Sequence, residues 1–321
     1  MSIGIRGIGT YLPERVVRND ELIERFGWDA DFLERKLGIR QRHIAAPDEG
    51  AADMAVAAAE NLFASRPELD RDAVDLVVLC TQNPDYGLPH SSALIQARLG
   101  LPSTTACFDV GLGCSGFVYG LAVVRSMLET LGLTNALLVT SDPYSKVIDP
   151  GDRGTSPLFG DGAAATWIAD GASNTVGAFT FGTDGGGAEH LIVKGAENGG
   201  GSDPAHLSMN GRAIFEFMLE RIPADLERCA GMNGVALEDV DLFVLHQASA
   251  YMLGYLAKRM RIAPDRVPVV LAETGNTVSS SIPFALAQLT SDGELAGRTV
   301  LLSGFGVGLS WASTIVRFDH Q

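Results

Sequence analysis

Phe108-Asp109-Val110-Gly111-Leu112-Gly113-Cys114-Ser115-Gly116-Phe117-Val118-Tyr119-Gly120-Leu121 is the stretch from which the fold is read. Apolar residues lead into two glycines and then Cys114. The residues that follow have helical spacing, with Phe117, Leu121, Val124 and Leu128 on one face. Cys114 therefore falls at a strand-to-helix turn, at or just before the first turn of a buried helix. Unpaired N–H groups and the positive end of the helix dipole favour a thiolate at such a place, and a thiolate is a nucleophile. A small buried hydrophobe is the alternative role for this cysteine.

Composition narrows the class. A chain of 321 residues holds one large or two ordinary domains, and 46% hydrophobic residues with 37 glycines suit an α/β enzyme. The balance of 24 Lys+Arg against 39 Asp+Glu, net −15, argues against a nucleic-acid partner, which needs a basic face. No apolar run reaches the length of a membrane span, and residues 1–17 do not read as a secretion signal. The cysteines Cys80, Cys107, Cys114 and Cys229 have neither zinc nor disulfide spacing. A cytoplasmic enzyme with no metal, no nucleic acid and no membrane is the expectation.

Working outward, the spacing predicts a strand near Ile3–Ile8, a helical segment over 19–37 with Asn19 as cap, and an Ala-rich helix over 51–64. Asp75–Cys80 and Ala136–Ser141 read as buried strands, and 91–99 as a helix. Residues 182–206 read as loop around one strand, His190–Val193. The second half repeats the first. Val74–Leu79 matches Val240–Leu245, Ala136–Ser141 matches Thr299–Gly304, and Gly160-Asp161-Gly162 matches Gly306-Val307-Gly308, each before a strand. Three landmarks in one order predict a duplicated α/β unit, divided into residues 1–170 and 171–321. Cys114 and Asn276 then occupy equivalent turns, and His246 directly follows a second-half strand, where functional groups project. Packed about a pseudo-twofold axis, Cys114, His246 and Asn276 converge.

These residues resemble a known family. Gly113-Cys114-Ser115-Gly116-Phe117, Leu245-His246-Gln247-Ala248 and Gly275-Asn276-Thr277 follow the pattern of β-ketoacyl-acyl carrier protein synthase III, of the thiolase superfamily. Gly38–His43, Asp152–Thr155 and Gly304–Trp311 extend the match over the whole chain. The resemblance implies a five-layered αβαβα fold of two similar halves and a homodimer. It implies that Cys114 takes an acyl group from an acyl thioester, with no cofactor beyond the acyl-coenzyme A or acyl-carrier-protein substrate. His246 and Asn276 would hold the thioester carbonyl of a malonyl extender as CO2 leaves, and the N–H groups of Cys114 and Gly306 would form an oxyanion hole. Phe305 belongs with the substrate-binding residues. Alternatives are transfer of the acyl group to an alcohol, amine or non-malonyl thioester, a biosynthetic thiolase, or a non-catalytic carrier-protein-binding subunit.

The chain departs from the housekeeping pattern. Phe32 and Lys36 replace a Trp and an Arg that grip coenzyme A, while Arg153 is kept. Leu88 replaces the Phe that closes the partner subunit's acyl pocket. Lys258, Arg259 and Arg261 end a helix in a cluster suited to an acidic carrier protein. These departures imply a specialised paralogue that favours carrier-protein donors over coenzyme A.

Overall fold

The computed structural model describes residues 2–28, 30–194 and 206–320. The chain opens with β1 (Gly4–Tyr11), β2 (Arg15–Arg18), α1 (Asn19–Phe26), α2 (Ala30–Leu37), β3 (Gln41–Ile44) and α3 (Ala51–Ser65). Then come β4 (Leu76–Cys80), α4 (Ser91–Arg98), β5 (Ala106–Val110), α5 (Gly116–Leu131), β6 (Asn135–Asp142) and β7 (Gly162–Ala169). β8 (Thr175–Thr183), β9 (Leu191–Val193), β10 (Leu207–Met209) and α6 (Gly211–Met232) follow. The last elements are β11 (Leu242–Leu245), α7 (Ala250–Met260), α8 (Ser281–Ser291), β12 (Thr299–Gly306) and β13 (Ser310–Arg317).

Nine strands run in the order β11-β12-β13-β8-β1-β7-β6-β4-β5. The run is two sheets touching at one residue pair, Gly4↔Thr175. In one sheet β4 pairs parallel with β5 and β6, and β6 pairs antiparallel with β7. The other repeats the plan with β11 parallel to β12 and β12 antiparallel to β13. These are the duplicated landmarks, so the two similar halves are real.

Burial explains the layering. Strand residues alternate between faces, and in β4 Leu76 and Val78 face one apolar cluster while Val77 and Leu79 face another. With both faces covered, the strand reads as a continuous apolar run. α3 and α4 cover the outer face of the first sheet, α5 and α8 lie between the sheets, and α6 covers the outer face of the second. The middle layer joins Phe117, Leu121 and Val124 of α5 to Leu138, Leu286 and Leu302. Each such side chain contributes roughly 1.5–3 kcal/mol of burial. The result is the five-layered αβαβα thiolase fold.

Two local expectations change. The helix over 19–37 is broken at Gly27, whose φ of 65° ends α1 in the left-handed region. Asn19 does not cap it: its Nδ2 donates to Ile39 O and its Oδ1 accepts from Arg42. In 182–206 the expected strand is present as β9, beginning one residue later at Leu191 and paired with β10, while residues 195–205 lie outside the described residues.

Candidate active site

β5 delivers the chain to Cys114, and α5 begins two residues later with Phe117, Leu121 and Val124 anchored in the middle layer. The thiol is buried, at 6% exposure. Gly306, the last residue of β12, lies against it: a Cβ there would stand 2.7 Å from Cys114 Sγ. Only a residue without a side chain lets this strand end reach the sulfur. The backbone of Val307 hydrogen-bonds the thiol.

The expected thiolate is corrected. Burial pushes the Cys114 thiol up to about 12, and the Val307 and Cys114 backbone bonds offset only part of this. Desolvation of the charge outweighs the helix terminus, because the fold buries the sulfur. Resting Cys114 is a thiol.

His246 extends β11, and its N–H donates to Ser303 O of β12 at 2.8 Å. Its Nδ1 lies 2.7 Å from Ser281 Oγ, and its ring meets Phe305 edge-on at 6.0 Å. Burial lowers its pKa to about 3, against a backbone bond with Val278, so the imidazole is neutral. Ser281 Oγ also receives the N–H of Gln247 at 3.3 Å. When that hydroxyl donates to Nδ1, Nε2 carries the proton.

Asn276 is buried in the matching turn. Its N–H donates to Leu158 O at 2.9 Å, and its carbonyl accepts from Gly160 at 3.1 Å. Oδ1 accepts from the N–H of Val278 at 2.9 Å, which leaves Nδ2 to donate elsewhere. Val278 makes this bond from φ 53°, a left-handed backbone in a β-branched residue, at a cost of order 1–3 kcal/mol. One strained backbone unit thus orients both Asn276 and His246.

Sequence reasoning missed what surrounds the three. Ser279, Ser280 and Ser281 are consecutive yet serve three places. Ser279 Oγ donates to Asp142 Oδ2, Ser280 Oγ lies 2.8 Å from Thr140 Oγ1, and Ser281 holds His246. The first two hydroxyls bind the Asn276 turn to the end of β6. Asp142 is fully buried, accepts the N–H of Gln82 at 2.8 Å, and is pushed by burial up to about 6. Asp142 ends a run of strand residues, and no local pattern marks it.

A cavity of about 360 Å³ adjoins this centre, bounded by Gln82, Tyr144, Leu191, Leu207 and Val307. Other named residues lie outside the cluster. Leu88 is 89% exposed on the loop before α4. Arg153 is exposed and lies 5.2 Å above the Trp28 ring and 5.9 Å above Phe26, while Lys36 Nζ lies 4.6 Å over Tyr251. The side chain of Phe32 is outside the described residues. Among the described residues Arg153 has two aromatic partners, Trp28 and Phe26, which flank the break at Gly27. Lys258, Arg259 and Arg261 are exposed at the end of α7.

The fold and its paired strand-to-helix turns define a class: an acyl-thioester ketosynthase of the thiolase fold, within the acyltransferases. Two family descriptions match, 3-oxoacyl-[acyl-carrier-protein (ACP)] synthase III over residues 108–185 and its C-terminal counterpart over 231–318. A β-ketoacyl-[acyl-carrier-protein] synthase III of Acidiphilium cryptum is 36% identical over 98% of this chain and 98% of its own. The crystal structure of 3-oxoacyl-(acyl carrier protein) synthase III from Pseudomonas aeruginosa superposes with a TM-score of 0.92 at 35% identity, covering 99% of both chains. A priming β-ketosynthase from a polyketide biosynthetic pathway gives 0.92 at 29%, covering 99% of this chain and 97% of its own. The chain belongs to the 3-oxoacyl-[acyl-carrier-protein] synthase III family.

Proposed function

We propose that the chain elongates an acyl group carried on Cys114 by decarboxylative condensation with a malonyl-type thioester on acyl carrier protein. The observation that carries this reading is the pairing of a buried thiol with two neutral donors whose acceptor atoms are already engaged. In the first step Cys114 Sγ attacks the thioester carbonyl, the thiol proton ends on the departing thiol, and the N–H groups of Cys114 and Gly306 receive the oxyanion. In the second, the malonyl carboxylate leaves as CO2 and the resulting enolate attacks the acyl-cysteine, which regenerates the thiol after protonation. His246 Nε2–H and Asn276 Nδ2–H hold the enolate oxygen, each worth about 3 kcal/mol. A cationic imidazole is not required, which suits a group that burial keeps neutral.

The apolar cavity beside Val307 takes the acyl chain, and Phe305 braces His246. Arg153 with Trp28 and Phe26 offers an aromatic and cationic platform for the nucleotide of coenzyme A, so the grip lost at Phe32 and Lys36 has a substitute. Lys258, Arg259 and Arg261 dock the acidic carrier protein. The active unit is a homodimer in which the exposed Leu88 reaches the partner subunit, and each chain divides near residue 170. Four free cysteines fit a reducing cytoplasm, and among the described residues no helix is long and apolar enough to cross a membrane.

Intact-protein mass spectrometry with acyl-coenzyme A and acyl-carrier-protein donors, followed by malonyl-carrier protein, tests the reading. An acyl adduct on Cys114 that disappears with release of CO2 supports it. An adduct discharged by an alcohol or amine without CO2 release makes the enzyme a plain acyltransferase instead.

A further inference from the structure

Behind the 156–159 segment lies a second cavity, of about 280 Å³, in which nothing in the reaction above takes part. Its walls combine Val17, Leu22, Ile44, Ile148 and Phe159 with three arginines, Arg15, Arg25 and Arg42. Arg42 is the unusual member. It is 1% exposed, and among the described residues it has no carboxylate at ion-pair distance. Its Nη1 reaches Val17 O at 3.3 Å and Asn19 Oδ1 at 3.1 Å, and its Nη2 reaches Pro157 O at 2.8 Å. Among the described residues Nε has no hydrogen-bond partner. Ser156 Oγ, on another wall of the same cavity, is likewise buried with no partner among them.

A buried cation that meets only neutral dipoles is costly, and a buried donor left unpaired adds to the cost. Burial already draws the Arg42 guanidinium down to about 10, opposed only by the charge of Glu21. An anion entering this cavity would supply the missing countercharge and an acceptor for Nε. Glu21 also lines the cavity, and of its three arginines only Arg42 is fully buried, so the buried end presents one positive charge, which one carboxylate meets. The apolar walls call for a hydrocarbon body on that anion.

We propose that the Arg42 cavity is a binding site for a small monocarboxylate with an apolar tail, separate from the Cys114 centre. The site is placed to be felt there. Ser156 and Phe159 belong to the segment whose Leu158 and Gly160 hydrogen-bond the backbone of Asn276. Occupancy would therefore bear on the Asn276 turn without touching it. The proposal does not depend on which acceptor the acyl-cysteine uses.

The test is calorimetric titration of the full chain with hexanoate, hexanol and inorganic phosphate, each repeated in saturating coenzyme A. The expected result is one saturable hexanoate site per chain that coenzyme A does not displace, with hexanol and phosphate at least tenfold weaker. S156A and a cavity-filling I44W should each weaken hexanoate at least fivefold, and R42Q should abolish it. If R42Q fails to fold, S156A and I44W decide. Absence of saturable binding, displacement by coenzyme A, or unchanged affinity in S156A and I44W would overturn the proposal. Phosphate binding as tight as hexanoate would show a plain anion site and overturn the assigned ligand class.

Discussion

The two halves follow one plan and fill it with different chemistry. Matching Val74 to Val240 places Cys80 opposite His246, and matching Ala136 to Thr299 places Asp142 opposite Phe305. The first-half turn carries the thiol and runs into a 16-residue helix, α5. There Cys80 is packed away, its Sγ 3.0 Å from Leu112 O, and Gly116 makes room for it: a Cβ would come within 2.2 Å of that sulfur. The second-half turn carries Asn276, a strained Val278 and three serines. Where β5 pairs with β4 through its backbone, 268–270 is bound to β11 through one side chain. Gln247 accepts from Val270 N at 2.9 Å and donates to Leu245 O at 2.8 Å and to Pro268 O at 3.3 Å. On the proposed reading, two similar turns divide the labour: one offers a nucleophile and the other hydrogen-bond donors.

The sharpest way to break this division is Cys114→Ala. It should abolish covalent acylation, read by intact mass, while the chain stays folded; an adduct persisting in the variant would place the nucleophile elsewhere. His246→Ala and Asn276→Ala act on the other half. Each should slow CO2 release by roughly 10²–10³ and leave the acylation rate within a few-fold. Equal losses in both steps would mean the halves do not divide the labour.

Ser281→Ala sharpens the comparison at a smaller scale. It strips His246 Nδ1 of its partner, and a buried unpaired group costs about 1–3 kcal/mol. Condensation should fall roughly 5–100-fold with acylation unchanged. Ser280→Ala, which touches only Thr140 and Gly162, should lower stability and spare both rates. A condensation defect of the same size in Ser280→Ala would make the serines a structural unit rather than separate supports.

Asp142 and His246 oppose each other in acid. The folded-state pKa of Asp142 is raised to about 6 from its ordinary 3.8, so its contribution to stability is full below pH 3.8 and is lost as pH rises through 6. That of His246 is lowered to about 3 from 6.5, so its contribution is full above pH 6.5 and is lost as pH falls toward 3. Between pH 6.5 and 4.5 the two partly cancel. Relative to the parent, Asp142→Asn should lose more stability on acidification over this range, and His246→Gln less. Urea midpoints against pH read the difference, and parallel curves for all three proteins would reject it.

The smallest effect belongs to the surface. Lys258→Glu/Arg259→Glu should slow acylation from acyl-carrier-protein several-fold at low ionic strength, with the deficit fading as salt is added. Acylation from acyl-coenzyme A should not change. A deficit independent of salt would count against electrostatic docking on α7.

Much of the fold was legible because the signals are local and repeated. β4, β6, β11 and β12 are buried on both faces, so their sequences are unbroken apolar runs, and the same landmarks recur in each half. The turns at Cys114 and Asn276 were legible for the same reason. Trp28 is not marked by helical spacing, because the left-handed Gly27 breaks the helix just before it and its partner Arg153 is distant in sequence. Asp142 and the individual tasks of Ser279, Ser280 and Ser281 left no local trace. A hydroxyl's partner is chosen by what folds against it, here residues more than a hundred positions away for Ser279 and Ser280.

By itself the sequence determined the strand and helix runs, their duplication and the residue types at the two turns, since hydrophobic period and turn chemistry are properties of neighbouring residues. Only the tertiary structure decided ionisation. A helix terminus argued for a thiolate at Cys114, and an ordinary histidine titrates near neutrality. Burial between packed layers reversed the first and silenced the second, because removing a charge from water outweighs a few aligned dipoles, and how much water is removed depends on the whole fold.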